Sequence, residues 1–149
     1  MLSDLMRAGG YSVNYINMRP RGLPAAFGLY VCDELQEGAA YSRQAKRRLY
    51  RGLCAVQSKP DWDNLVGVYV DVSEGKNRSC SAFRQLKADV RAGFFRRVLV
   101  VHPRDVFGDF LVCQELDVLS RDVEGFELVD LREYRLSGRQ SVCQVSTGD

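Results

Sequence analysis

Two apolar runs separated by an amphipathic segment constrain this chain more than anything else in it. Leu65, Val66, Val68, Val70 and Val72 form a nearly continuous apolar run with a polar stop, and residues 98–101 repeat that signature. Runs of this kind suit strands covered on both faces. Between them Phe83, Leu86 and Val90 recur at i, i+3 and i+7, which predicts a helix with one apolar face and turns Arg84, Lys87, Asp89 and Arg91 away from it. Gly93 is the expected stop. Strand, helix and strand joined over this length imply a right-handed crossover and a parallel pair of strands.

The flanking sequence extends the pattern. Residues 25–32 are a short apolar run ended by Asp33-Glu34 and make the expected first core strand. From Gln36 to about Gln57 the spacing turns helical, with Ala45, Leu49, Leu53 and Val56 on one face, and Trp62 is expected to pack at the core edge. Asp109 is placed to cap a helix carrying Phe110, Leu111, Cys113, Leu116 and Leu119. Glu124-Gly125 breaks that helix, and Phe126-Glu127-Leu128-Val129 reads as a fourth strand. The order β-α-β-α-β-α-β predicts an α/β fold, a three-layer sandwich with a mainly parallel sheet. Residues 134–145 can close as a hairpin or edge strand. Residues 1–24 read as an N-terminal extension or loop, in which Tyr11, Val13 and Tyr15 alternate with Ser12 and Asn14 as a short added strand would; residues 25–149 form the domain.

Length and charge narrow the function classes. With 149 residues, 46% of them hydrophobic, the chain can bury one core. A net charge of +2 is too small to argue for nucleic-acid binding by itself, so placement decides. Arg43, Lys46, Arg47, Arg48 and Arg51 are the one clear basic concentration, either a solvated helix face or a surface for a nucleic-acid backbone or an acidic protein. Cys32, Cys54, Cys80, Cys113 and Cys143 are an odd, scattered set without a C-x-x-C pair, which points to buried thiols in a reducing compartment and away from a disulfide frame or zinc site. No stretch approaches the ~18 apolar residues of a membrane span, and the N-terminus lacks an apolar signal core. A cytoplasmic protein without a membrane partner is expected.

In open α/β sheets, ligands and chemistry gather beyond the carboxyl ends of the parallel strands. That rule selects Asp33 and Glu34, then Asp71 and Ser73, then His102, Arg104 and Asp105. Asp33, Glu34, Asp71 and Asp105 are the carboxylates a magnesium-dependent phosphodiesterase would need, and equally ordinary loop residues and helix caps. His102, the sole histidine, reads as a base or as a hydrogen-bonded structural residue. Ser73-x-Gly75 lacks the pattern of a phosphate loop, and no cofactor motif is present.

The run Tyr69-Val70-Asp71-x-Ser73-x-Gly75, then Ala82-Phe83-Arg84-Gln85-Leu86-Lys87-Ala88-Asp89-Val90, Ala92-Gly93 and Val98-Leu99-Val100-Val101, resembles the catalytic domain of resolvase/invertase-type serine recombinases. Leu29-Tyr30 with the helix after it, and Phe126-Glu127-Leu128-Val129, occupy matching places, so the resemblance spans roughly residues 26–131. It implies a resolvase-like fold. In that family a Tyr-x-Arg-x-Ser motif supplies a serine that attacks a DNA phosphodiester; the matching stretch here is Tyr30-Val31-Cys32-Asp33-Glu34, with Cys32 at the arginine and Glu34 at the nucleophile. The family's Asp-Arg-x-x-Arg falls on Arg104-Asp105-Val106-Phe107-Gly108, both arginine positions lost, and a further arginine falls near Cys80, with Arg78 two residues away.

Phosphoryl transfer needs an in-line nucleophile and positive charge around the nonbridging oxygens. Glu34, Asp33 and Asp105 put negative charge there instead. The chain as given also shows no counterpart of the family's dimer helix and helix-turn-helix. The expected function is therefore that of a regulatory or accessory binding protein of a mobile element or phage, able to self-associate and to contact protein or nucleic acid. Two enzymatic readings stand beside it: a recombinase with residual strand cleavage through Ser42 or Ser73, and the metal-dependent phosphodiesterase.

Overall fold

Five strands, β1 (Tyr11–Tyr15), β2 (Phe27–Leu35), β3 (Leu65–Glu74), β4 (Arg97–Val100) and β5 (Glu127–Asp130), lie in one mixed sheet in the order β1-β3-β2-β4-β5. Four helices complete this α/β fold among the described residues: α1 (Arg43–Val56), α2 (Asp61–Asn64), α3 (Ser81–Arg91) and α4 (Phe110–Asp122). The structure is a computed structural model describing residues 11–18, 24–35, 43–57, 61–74, 81–101 and 110–131. The expected hairpin at 134–145, the cap at Asp109 and the loop holding His102, Arg104 and Asp105 lie outside those residues. No described helix is long and apolar enough to cross a membrane.

Strand β2 is the centre of the sheet, parallel to β3 on one side and to β4 on the other, while β4 continues in parallel to β5. β1 is antiparallel to β3, with Tyr11 opposite Asp71 and Tyr15 opposite Gly67, so the alternating Tyr-x-Val-x-Tyr run is indeed an added strand. The register of β2 on β3 shifts between Phe27 and Gly28, which leaves Val66 as an extra residue. Val66 consequently joins the apolar cluster on the opposite face from Val68, Val70 and Val72.

Those two clusters explain the apolar runs. On one face Phe27, Leu29, Val31, Val68, Val70, Val72, Leu99 and Val101 are buried with Ala45, Leu49 and Val56 of α1, and Trp62 packs at their margin as expected. On the other, Tyr30, Tyr69, Val98 and Val100 meet Ala82, Phe83, Leu86 and Val90 of α3 and Val112, Leu116 and Leu119 of α4. Gly52 lets α1 approach: a Cβ there would lie 3.0 Å from side-chain carbons of Leu29 and Val101. Gly93 ends α3 as expected, at φ 90°. Its N–H donates to the Val90 carbonyl at 3.0 Å and the Phe94 N–H to that of Asp89 at 3.1 Å, a Schellman closure.

One boundary and one side chain differ from the sequence expectation. β2 does not stop before Asp33-Glu34 but runs on to Leu35, because β3 continues beside it and supplies Val72, Ser73 and Glu74 as backbone partners. Asp89 does not point away from the packed face of α3: it is 4% exposed, for reasons that belong to the site below.

Candidate functional site

The chain leaves β2 for β3 on one side, then crosses to β4 on the other, so the order reverses at β2 and its carboxyl end is where such a sheet offers a crevice. Cys32 of β2 and Asp71 of β3 are register partners there. Asp71 is fully buried. Its Oδ1 accepts the Ala82 N–H at 2.9 Å, and its Oδ2 accepts the Phe83 N–H and the Tyr30 hydroxyl, each at 2.9 Å. A helix start leaves backbone N–H groups without intrahelical partners and carries partial positive charge, so a carboxylate is well placed there. In α3 that carboxylate comes from a neighbouring strand.

This geometry fixes what Asp71 can do. Burial pushes its carboxyl above the ordinary aspartate range, more than the two backbone donors, Tyr30 and the Arg84 charge draw it down. Tyr30 is held well above the usual phenol range, first by burial and then by Cys32 and Asp71, so it remains a donor. Asp71, selected by sequence as a strand-end acid, is the cap of α3, and both its oxygens are engaged by donors from within the fold.

A second buried carboxylate escaped the sequence. Asp89 Oδ2 accepts the hydroxyls of Tyr15 at 2.8 Å and Tyr69 at 2.6 Å, and its Oδ1 accepts from Gln85 Nε2 at 2.8 Å. Tyr15 and Tyr69 also stand edge to face, with centroids 6.4 Å apart. Burial, then the Asp89 carboxylate, raises the Tyr69 pKa, and the same causes raise that of Tyr15. The cluster ties β1, β3 and α3 together. The available signal was parity: Tyr15 and Tyr69 sit on the sheet face that α3 covers, so a polar residue of α3 had hydroxyls to meet.

The basic helix divides into committed and uncommitted cations. Arg48 turns toward β2, where its Nη1 donates to the Cys32 carbonyl at 2.8 Å and lies 3.6 Å from Asp33 Oδ1. Lys46 is half-buried, and Arg43 is the first residue of α1. Arg47 and Arg51 are exposed, and their side chains make no hydrogen bond or ion pair with any described residue. Tyr50, 48% exposed, lies between them. α1 contains no acidic residue.

On the opposite face of the sheet several cations of the helices are paired. Lys87 pairs with Glu115 at 2.7 Å, Arg91 with Asp122 at 3.0 Å, and Arg121 with Asp117. An open depression of about 430 Å³ near the carboxyl ends of α3 and α4 is likewise lined by Arg91 and Arg96 together with Asp122 and Glu124. Among the described residues α1 differs in carrying several cations and no acidic residue of its own, although the exposed Arg84 of α3 and Arg96 make no described ion pair either.

Of the remaining sequence-selected residues, Glu34 and Ser73 are register partners near the ends of β2 and β3. Cys80, Arg78, His102, Arg104 and Asp105 lie outside the described residues. Among the described residues no three His, Cys, Asp or Glu side chains converge as a metal site. Comparison of the chain with protein-family models, with curated proteins and with solved structures finds no match.

Proposed function

We propose that this chain is a resolvase-like domain, a three-layer α/β sandwich with a mainly parallel sheet, that has lost serine-recombinase activity and works by binding. Its partner carries negative charge, a nucleic-acid backbone or an acidic protein surface, and meets the outer face of α1 in the cytoplasm. One observation carries this reading: Arg47 and Arg51 present uncompensated charge to solvent, while the charged groups described at the strand ends are committed elsewhere. Arg48 holds the end of β2, and Asp71 caps α3. The strand order, with β2 central and its neighbours following on either side, supports the resolvase-like reading. So does the division of the helices between the two faces. Cys32 and Glu34 at the family's arginine and serine positions support the loss of strand cleavage. The sequence resemblance supports an accessory or regulatory role in a mobile element or phage.

The test is a salt titration of binding to single- and double-stranded DNA and RNA in the presence of magnesium, with products resolved on a denaturing gel. Salt-sensitive binding without cleavage or covalent adduct is expected, because each phosphate contact releases counterions. Cleavage or an adduct would overturn the proposal in favour of an enzyme. Loss of every association, with nucleic acid and with acidic protein alike, would overturn it outright.

A further inference from the structure

We infer that the outer face of α1 binds single-stranded nucleic acid, with the Tyr50 ring stacked on a base and Arg47 and Arg51 on the flanking phosphates. This rests on the proposed binding role of α1 and names its partner. Arg47, Tyr50 and Arg51 stand at i, i+3 and i+4, so one helical face presents a cation, an aromatic ring and a second cation together. About 6 Å of helix rise separates the two arginines, so they address neighbouring phosphates of one strand.

The ring distinguishes this surface from a merely basic one. A singly exposed apolar residue is ordinary, and Tyr50 would need no comment among neutral neighbours. Its nearest companions on the face are instead two arginines with no described partner, while Leu53 and Ala55 pack toward the core. Among the described residues the other large exposed apolar side chains, Tyr11, Tyr15, Ile16, Met18 and Val118, belong to the β1 segment and α4. Tyr50 is therefore, among the described residues, the one large exposed apolar side chain of α1, with the small, exposed Cys54 one turn on. A ring beside cations matches the composition of a nucleobase strand, which offers a π-face and a phosphate at each step. A duplex keeps its bases stacked inside and leaves the ring idle. An acidic peptide would engage the arginines and leave it idle too.

The experiment measures fluorescence anisotropy of the full chain with a short labelled single strand, the same strand annealed to its complement, and an abasic strand of equal length, with polyglutamate as competitor. Tyr50→Ala, Tyr50→Phe and the double variant Arg47→Ala/Arg51→Ala are compared, with circular dichroism to verify folding. Tyr50→Ala is expected to weaken single-strand binding by roughly 5- to 150-fold, the range of base–aromatic stacking, and to leave duplex affinity unchanged. Tyr50→Phe restores single-strand binding because stacking does not need the hydroxyl. Single-strand affinity unchanged in Tyr50→Ala, equal binding of the abasic strand, or preferential capture by polyglutamate would each overturn the inference. Salt-sensitive polyanion binding that still disappears with Arg47→Ala/Arg51→Ala would then leave the broader proposal standing. Absence of any polyanion binding would remove both.

Discussion

Tyr30 in the middle of β2 and Asp71 in the carboxyl half of β3 meet hydroxyl to carboxylate at 2.9 Å, with both side chains fully buried. The same carboxylate holds two N–H groups of α3, so one side chain joins two strands to a helix. Asp71→Asn keeps the size but turns one acceptor oxygen into a donor, which must face an N–H of Ala82 or Phe83. The expected cost is about 1–3 kcal/mol, that of leaving a buried polar group unsatisfied. Asp71→Ala, which orphans three donors, costs more than Asp71→Asn. Urea unfolding measures both, and an Asn variant as stable as the parent would refute the role.

The pH dependence of that pair follows from the direction of the shift. Burial raises the folded-state pKa of Asp71 above its ordinary value of 3.8. The folded state therefore binds the proton more tightly than the unfolded chain, and its contribution is fully present below 3.8 and is lost as pH rises through the raised value. The stability advantage of the parent over Asp71→Asn should accordingly shrink across that window and then level off. Paired unfolding curves from pH 3 to pH 8 decide it, and an advantage that grows with pH would contradict the assignment.

The Asp89 cluster separates a local latch from a core contact. Tyr69 is fully buried and its hydroxyl is 2.6 Å from Asp89, so Tyr69→Phe should cost about 1.5–3 kcal/mol, as for a hydrogen bond to a charged group. Tyr15 is 45% exposed, and Tyr15→Phe should cost about 0.5–1.5 kcal/mol. Its main effect should be local: faster amide exchange in β1 and at Ile16 and Asn17, whose N–H groups donate to Val66 and Leu65, with α3 and β4 unchanged. Uniform acceleration across the sheet would show that β1 is not a separate unit.

The elements were legible in the sequence because the apolar periods were clean. Val68, Val70 and Val72 alternate toward α1, and Phe83, Leu86 and Val90 form the buried stripe of α3. What escaped is what tertiary contact decides. Asp71 stands 11 residues before Ala82, whose N–H it caps, and no local rule connects a strand-end acid to a helix start that far along the chain. Asp89 looked solvent-facing because its partners, Tyr15 and Tyr69, come from strands on either side of a long sequence separation. Arg48 looked identical to Arg47 and Arg51, yet helical rotation turns it to the strand end and leaves those two in solvent.

That difference among neighbouring arginines gives the last prediction. Arg48 donates to the Cys32 carbonyl and lies beside Asp33, its side chain 16% exposed, so Arg48→Ala removes a charged hydrogen bond and packed stem atoms from the end of β2. A loss of about 1–2 kcal/mol is expected, with polyanion binding nearly unchanged once folding is restored at lower temperature. Arg47→Ala should do the reverse. Its stability should stay within about 0.5 kcal/mol of the parent, as for exposed sites without special contacts. The slope of log affinity against log salt should then fall by about one for the lost phosphate contact. Unfolding curves and salt titrations on the two variants separate the roles, and a binding loss in Arg48→Ala equal to that in Arg47→Ala would place the contact surface on the strand end and not on the outer face of α1.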